Sequence, residues 1–419
     1  MWASQPHLPI SQRSSSTSRG VADLLSRHRI LTHCGLVVCL GSALWTQSTL
    51  QVQNSRTSES LRGVSAVSQK IAWASGTHGT YLRTTDGGHT WKPAQVPEAE
   101  KLDFRGVVAF SAEDAFLMSS GPGDQSRIYH TADGGQHWQL QLTNKNPKGF
   151  FDSIAFWDSK HGIVLGDPIP DSAGKLHFEL LETDDGETWH EIPITALPEA
   201  IDGEGAFAAS NSCIAILRGY GNRGPSALES KPDPSNQKSR KGETWKSGPS
   251  GPRQAPQSEG ALAPAGGNIW FATGGKVARV FHSPDRGEHW EVFDTPIVHG
   301  PESAGIFSIA FRNANEGVIA GGDYKQPNAD GPNLAFTHDG GKTWQLSTIH
   351  PQAFFSAAAY SAKALTAVAQ DFVLEWQSPT TARKLSAAKK PEGTFNAISV
   401  LPKGGALIVG SKGLIAVAP

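Results

Sequence analysis

Cysteine is nearly absent from this chain: three residues in 419, and two of them, Cys34 and Cys39, fall within one apolar stretch near the start. Only Cys213 lies beyond that stretch. A disulfide framework and a CxxC-type metal site are therefore excluded. An excess of charge of either sign is also missing. Lys and Arg number 37 against 39 Asp and Glu, a formal net charge of −2. This argues against bulk attraction to nucleic acid or anionic lipid. Long helix-forming runs of Leu, Ala, Glu and Lys are scarce, whereas Gly (45) and Pro (27) are plentiful. That balance favours many short strands and turns. No GxSxG, HExxH, P-loop or strand-linked GxGxxG occurs, so no cofactor and no metal is expected.

Only one long apolar run is present, Ile30–Trp45, preceded by the polar, basic segment Arg13–Arg29. It is short for a membrane span and suits the core of a signal peptide. Residues 1–48 read as a signal peptide cleaved after Ser48, or as an uncleaved N-terminal anchor, which would be the chain's one link to a membrane. Val38 before Cys39 makes a poor lipobox, because a β-branched side chain stands next to the cysteine. The expected location is outside the cytoplasm, periplasmic or extracellular.

What the sequence does have is tryptophan, twelve against five tyrosines. Many of these close a repeated octapeptide, [S/T]-x-D-x-G-x-[T/H]-W. It occurs at Thr84–Trp91, Thr131–Trp138, Ser283–Trp290 and Thr337–Trp344. At Glu182–Trp189 a Glu stands in the leading hydroxyl's place, and Lys238–Trp245 keeps only Gly, Thr and Trp. Trp91, Trp138, Trp189, Trp290 and Trp344 are spaced by 47, 51, 101 and 54 residues. A period near 50 suits one blade of four short strands. Within the octapeptide, Asp accepts backbone N–H bonds of its own turn, Gly supplies a positive φ, and Trp buries a large ring. The structural set is Asp86, Trp91, Asp133, Trp138, Asp184, Trp189, Asp285, Trp290, Asp339 and Trp344. His89, His137, His289 and His338 sit in tolerant slots and read as solvated turn residues rather than metal ligands.

A quieter repeat precedes each octapeptide. Apolar, small-residue strands are expected at Leu61–Val67, Phe104–Phe110, Phe151–Phe156, Ser212–Leu217, Ile306–Phe311, Phe354–Tyr360 and Phe395–Val400. Such strands suit crowding around a central axis. The fold class expected is all-β: a seven-bladed β-propeller over 49–419 with hairpin octapeptides. Its ring would be closed by N- and C-terminal strands, Thr49–Gln53 completing the last blade. The double spacing is assigned to a Pro-, Ser- and Lys-rich insertion at 219–260 in blade four. An eighth blade ending at Trp245 is the alternative.

Binding groups are expected where the inner strands begin and on the loops of that face. The strand starts present Arg62, Arg105, Asp152, Ser212, Phe307, Phe355 and Asn396. The longest loops add Asp167, Asp323, Tyr324 and Lys325, and the loop leading into blade four adds Asp202 and Glu204. The candidate binding set is Arg62, Arg105, Asp152, Asp167, Glu204, Asp323, Tyr324 and Lys325. If the chain is a hydrolase, its carboxylates would be Asp152, Asp167, Glu204 and Asp323.

The octapeptide is the Asp-box, or BNR repeat, of sialidases, sortilin-type receptors and other propellers, where it lies away from the ligand face. The sialidase Phe/Tyr-Arg-Ile-Pro signature is missing, since "LRGV" and "FRGV" do not match it; Arg279 would have to serve as a third arginine. From about Leu61 to Pro419 the chain resembles the photosystem II stability and assembly factor family. The resemblance rests on the pairs "FRGVVAF…TADGGQHW", "FDSIAF…ETDDGETW" and "IFSIAF…THDGGKTW". It implies an exported, non-catalytic propeller that holds a protein partner, in the photosynthetic members through an Arg-rich patch. Arg62 and Arg105 lie at matching strand starts, but Asp152, Asp167 and Asp323 make this face mixed. The alternative is a sialidase-like, BNR-type glycoside hydrolase with a carbohydrate ligand.

Overall fold

A computed structural model describes residues 49–193, 196–217, 267–349, 351–362, 364–378, 380–387 and 389–419. The expected signal segment 1–48 and the insertion 219–260, with Trp245, lie outside the described residues. Helix is almost absent among the described residues, and the chain is a succession of antiparallel four-strand units. The first unit runs Leu61–Ala66, Ala72–Gly76, Thr80–Thr84 and Lys92–Gln95 from inside to outside. The same order recurs from the inner strands Phe104–Ala109, Phe151–Phe156, Ile214–Ile216, Ala304–Phe311 and Phe355–Tyr360.

The last unit has only three strands of its own, Phe395–Val400, Ala406–Gly410 and Leu414–Ala418. Its fourth is Thr49–Asn54, which runs antiparallel to Leu414–Ala418 with Gln51 opposite Val417. The same strand also pairs in parallel with Thr381–Ala387 through Thr49 and Leu50. Two neighbouring units thus merge into one eight-stranded sheet, and an outer edge that would otherwise be open is covered.

Apolar side chains fill the spaces between adjacent units. Trp73, Phe104, Val107 and Leu117 form one such cluster; Trp270, Val280, Ile306 and Ile319 form another. Each aromatic ring buries about 150–250 Å² here, so these layers supply the main cohesion between units. Polar side chains stitch the inner strands together. Ser65 Oγ accepts from Ala109 N, Ser399 Oγ from Ala66 N, and Ser308 Oγ from Ala358 N. Asn211, at φ 59°, accepts from Ile154 N and donates back to Ile154 O, imitating a strand neighbour.

The Asp-box turns have the geometry their chemistry demands. Thr84 Oγ1 donates to Asp86 Oδ1 and accepts from Gly88 N, while Asp86 Oδ1 also accepts from Thr90 N. These bonds hold the Asp86 carboxyl below its ordinary range, and Asp133 and Asp339 are each lowered to about 2. Trp91 donates its indole N–H to Gln53 of the N-terminal strand, and Gln53 in turn donates to Gly87 O. Gln141 clamps Trp189 and Gly186 in the same way. Each clamp joins the outer strand of one unit to the Asp-box of the next.

One octapeptide departs from the expected frame. In Glu182–Trp189 the hydroxyl is supplied by Thr183 and the carboxylate by Asp185, which accepts from Thr188 N and Glu187 N. The role expected of Asp184 therefore falls one residue along, and no hydroxyl is missing. The turn is one residue shorter because a single glycine, Gly186, replaces the usual pair. Asp185→Ala should lower the urea midpoint of unfolding and Asp184→Ala should leave it unchanged; the reverse order would return the turn to the simple octapeptide frame.

Candidate functional site

The inner strands, Ile214–Ile216 excepted, share a defect at their starts. Pairing with the second strand skips one residue, a β-bulge, at Arg62, Arg105, Asp152, Phe307, Ser356 and Asn396. A bulged residue is unpaired in the ladder and its side chain is re-aimed. All six line a single cleft of about 490 Å³. The sequence logic is a triplet of buried apolar anchor, outward residue and small residue: Leu61-Arg62-Gly63, Phe104-Arg105-Gly106, Phe151-Asp152-Ser153, Ile306-Phe307-Ser308, Phe355-Ser356-Ala357, Phe395-Asn396-Ala397. The small residue is required by crowding. A Cβ on Gly63 would lie 2.9 Å from Arg105 O, and one on Gly106 would lie 2.8 Å from Ile154 Cγ2. This frame corrects one position: Phe355 is a fully buried anchor, and Ser356 is the residue that reaches the cleft. The register also places the cleft at the opposite end of the strands from the Asp-boxes, since Leu61 faces Gly76 whereas Ala72 faces Thr84.

Of the candidate set, the structure gathers Arg62, Arg105, Asp152, Asp167 and Tyr324 into this cleft. Glu204, Asp323 and Lys325 do not line it. Glu204 is buried in an ion pair with Arg279, with further bonds from Thr273 Oγ1 and Ile201 N. That pairing also removes Arg279 from any arginine triad with Arg62 and Arg105. Asp323 ties its own turn, accepting from Lys325 N at 2.9 Å. Lys325 and Asp202 are exposed.

Arg62 and Arg105 flank Asp103. Arg105 Nε donates to Asp103 Oδ2 at 2.8 Å and Arg62 Nη2 approaches the same oxygen at 3.5 Å. Burial, and then the neighbouring Arg105, hold the Arg62 guanidinium below its ordinary pKa. Asp152 is 1% exposed, and burial together with Asp167 pushes its carboxyl well above the usual range, against the pull of Arg105. Asp167 is raised to about 6 by burial, opposed by a hydrogen bond from Ala206 N.

Part of the cleft lining is aromatic, and of its rings the sequence predicts Phe307 and Tyr324. Phe207 stacks on Phe307 at 3.8 Å, and Phe354 and Tyr324 meet Phe307 edge-on at 4.6 and 6.1 Å. Phe207 is carried by the loop after Glu204–Gly205, which pairs with Gly274–Gly275 and through it with Gly305. Gly274 and Gly305 approach so closely that a Cβ on Gly305 would strike Gly274 Cα.

These features define a class: an Asp-box β-propeller whose bulged inner strands line one mixed, aromatic-walled cleft. Comparison with known proteins narrows it. A family model described as photosynthesis system II assembly factor YCF48 matches residues 40–151, and the BNR/Asp-box repeat model matches residues 335–346. The chain is 33% identical over 76 residues to the photosystem II stability/assembly factor HCF136, chloroplastic, of Arabidopsis thaliana, covering 17% of this chain and 18% of that protein. It is 25% identical over 272 residues to the photosystem II assembly lipoprotein Ycf48 of Synechococcus sp. (strain CC9902), covering 64% of this chain and 69% of that one. The solved structure of YCF48 bound to D1 peptide superposes with a TM-score of 0.56 at 14% identity, over 88% of this chain and 94% of that chain, a likeness of fold. The chain is thus similar to the photosystem II stability/assembly factors, in sequence over part of its length and in fold over most of it.

The raised carboxyl of Asp167 has a signed consequence. Its folded value of about 6 lies above its ordinary 3.8, so its stabilising contribution is complete below about pH 4 and is lost as pH rises towards 6. Asp167→Asn should remove this part of the fall and leave the protein more stable than wild type at pH 7.5 by about 2 kcal/mol. Urea unfolding from pH 4 to 7.5 measures it; a variant with the wild-type slope would contradict the assignment.

Proposed function

We propose that this chain is an exported, seven-bladed Asp-box propeller that acts as a non-catalytic binding and assembly scaffold. Its cleft holds a polypeptide segment of a protein partner. The observation that carries this reading is the convergence of six bulged residues, from six different inner strands, on one cleft. Donors, acceptors and aromatic faces on one rigid rim suit an extended chain, which offers all three complements. The resemblance to photosystem II assembly factors supports the same role, as does the peptide in the solved YCF48 structure. Export is supported by the apolar segment within 1–48 and by the similarity to a protein named as a lipoprotein. Among the described residues no helix is long and apolar enough to cross a membrane.

Asp152 and Asp167 favour a second reading, a glycoside hydrolase, because two carboxyls of one cleft hold protons to raised pH. Photo-crosslinking separates the two. A benzophenone amino acid at Tyr324, which is 45% exposed at the cleft rim, should give adducts with a polypeptide from the host's exported fraction, while the same group at His89 on an Asp-box gives none. Adducts at Tyr324 should be lost in Arg105→Glu. Absence of any protein adduct at Tyr324, together with glycoside turnover abolished by Asp152→Asn, would replace the scaffold by the hydrolase.

A further inference from the structure

The two ends of the cleft differ in what they leave unmatched. At the basic end Arg62 and Arg105 already share Asp103. At the acidic end Asp152 is 1% exposed, and its Oδ2 has no hydrogen-bond partner among the described residues. A buried oxygen left in this way is costly unless a ligand or proton satisfies it. The groups that face it are unequal. Asp167 and Glu179 add negative potential, Arg105 alone opposes them, and the Cys213 thiol, just before the neighbouring inner strand Ile214–Ile216, is neutral, its pKa pushed up by burial. Glu179 is itself held by Asn144 Nδ2 at 2.8 Å, and one oxygen of Asp167 by Ala206 N at 3.0 Å. The same cleft is lined by the aromatic wall of Phe207, Phe307, Phe354 and Tyr324, and Phe207 directly follows Ala206, whose N–H binds Asp167. Ring faces attract organic cations and receive the methylenes of long side chains. A hard divalent ion is a poor match, since it asks for six or more oxygens.

The geometry points to the Asp152–Asp167 end of the cleft as a subsite for a cationic side chain, a lysine ammonium or an arginine guanidinium, of the polypeptide that the cleft holds. The carboxylates take the charge and the aromatic wall takes the stem. This rests on the scaffold reading and adds what that reading leaves open, the chemistry of the bound segment. Protons compete with the cation for the same two carboxyls, so binding weakens on acidification through pH 6, the value near which Asp167 titrates.

Fluorescence anisotropy on the full chain tests it with heptapeptide pools, degenerate except for a central Lys, Arg, norleucine or Glu. The Lys and Arg pools should bind about tenfold or more tighter than the others at pH 7.5, and the preference should shrink about tenfold at pH 5. Asp152→Asn should abolish the preference without lowering thermal stability. Asp167→Asn, at the less buried position, should weaken it and serves if the first variant misfolds. Equal binding of all pools, or an undiminished Lys preference in both variants, would overturn the subsite and leave the scaffold reading intact. Binding of N-acetyl-lysine methylamide with no pool binding would uphold the subsite and overturn the polypeptide reading. Calcium ions that bind while neither amine nor pool does would overturn the subsite.

Discussion

Everything functional in this molecule depends on a packing constraint at the start of the inner strands. Strands crowded round an axis need small residues where they approach, and Gly63, Gly106, Ser153, Ser308, Ala357 and Ala397 occupy those points. They also need a buried anchor facing the next unit, which Leu61, Phe104, Phe151, Ile306, Phe355 and Phe395 provide. A regular strand cannot put adjacent residues on the same side, because side chains alternate. The bulge between anchor and small residue resolves this and releases the intervening side chain into the cleft. Structural need fixes two residues of each triplet and leaves the third free, so the ring can carry Arg, Asp, Phe, Ser or Asn without altering the fold.

At the other end of the strands chemistry serves only architecture. Asp86, Asp133, Asp185, Asp285 and Asp339 spend their carboxylates on turn N–H groups. Two of the histidines flanking them, His137 and His289, pair with the same aspartates. The glutamine clamps Gln53 and Gln141 pass this local order to the adjoining unit. Around the cleft Arg62 Nε, Asp103 Oδ1 and Asp152 Oδ2 are buried and unmatched, and the Asp-box end has unmatched atoms of its own, among them Trp138 Nε1 and His282 Nδ1.

Much of this was legible in the sequence, and the failures have physical causes. The period and the recurring apolar, small-residue strands place the inner strands because both repeat. Arg62, Arg105 and Asp152 followed from that repeat. Ser356 stands in the cleft where the repeat predicts Phe355, and Asp185 ties the turn where it predicts Asp184, because a one-residue change in a bulge or a turn shifts the frame without disturbing the pattern of apolar residues. Glu204 and Asp323 looked like loop carboxylates; their partners Thr273 and Arg279, and the N–H of Lys325, become visible only in three dimensions. Phe207 is not legible because it is carried by a loop outside the repeat, and the closeness of Gly274 to Gly305 that positions this loop carries no pattern of its own; Phe354 lies one residue before the anchor Phe355, where the repeat predicts strand rather than cleft wall.

The proposal of a cleft that takes hold of another chain draws on the resemblance to photosystem II assembly factors and on the six bulged residues that line it. The central claim, that the bulged residues form one binding surface, is tested most directly by thiol labelling. With Cys34 and Cys39 replaced by serine and Cys213 buried, single cysteines are placed at 62, 105, 307, 356 and 396, and at the Asp-box position 89. Labelling rates are then compared with and without the captured segment. The account predicts that the bulge positions are protected together and that position 89 is unaffected; protection at 89 with the bulge positions still open would contradict it.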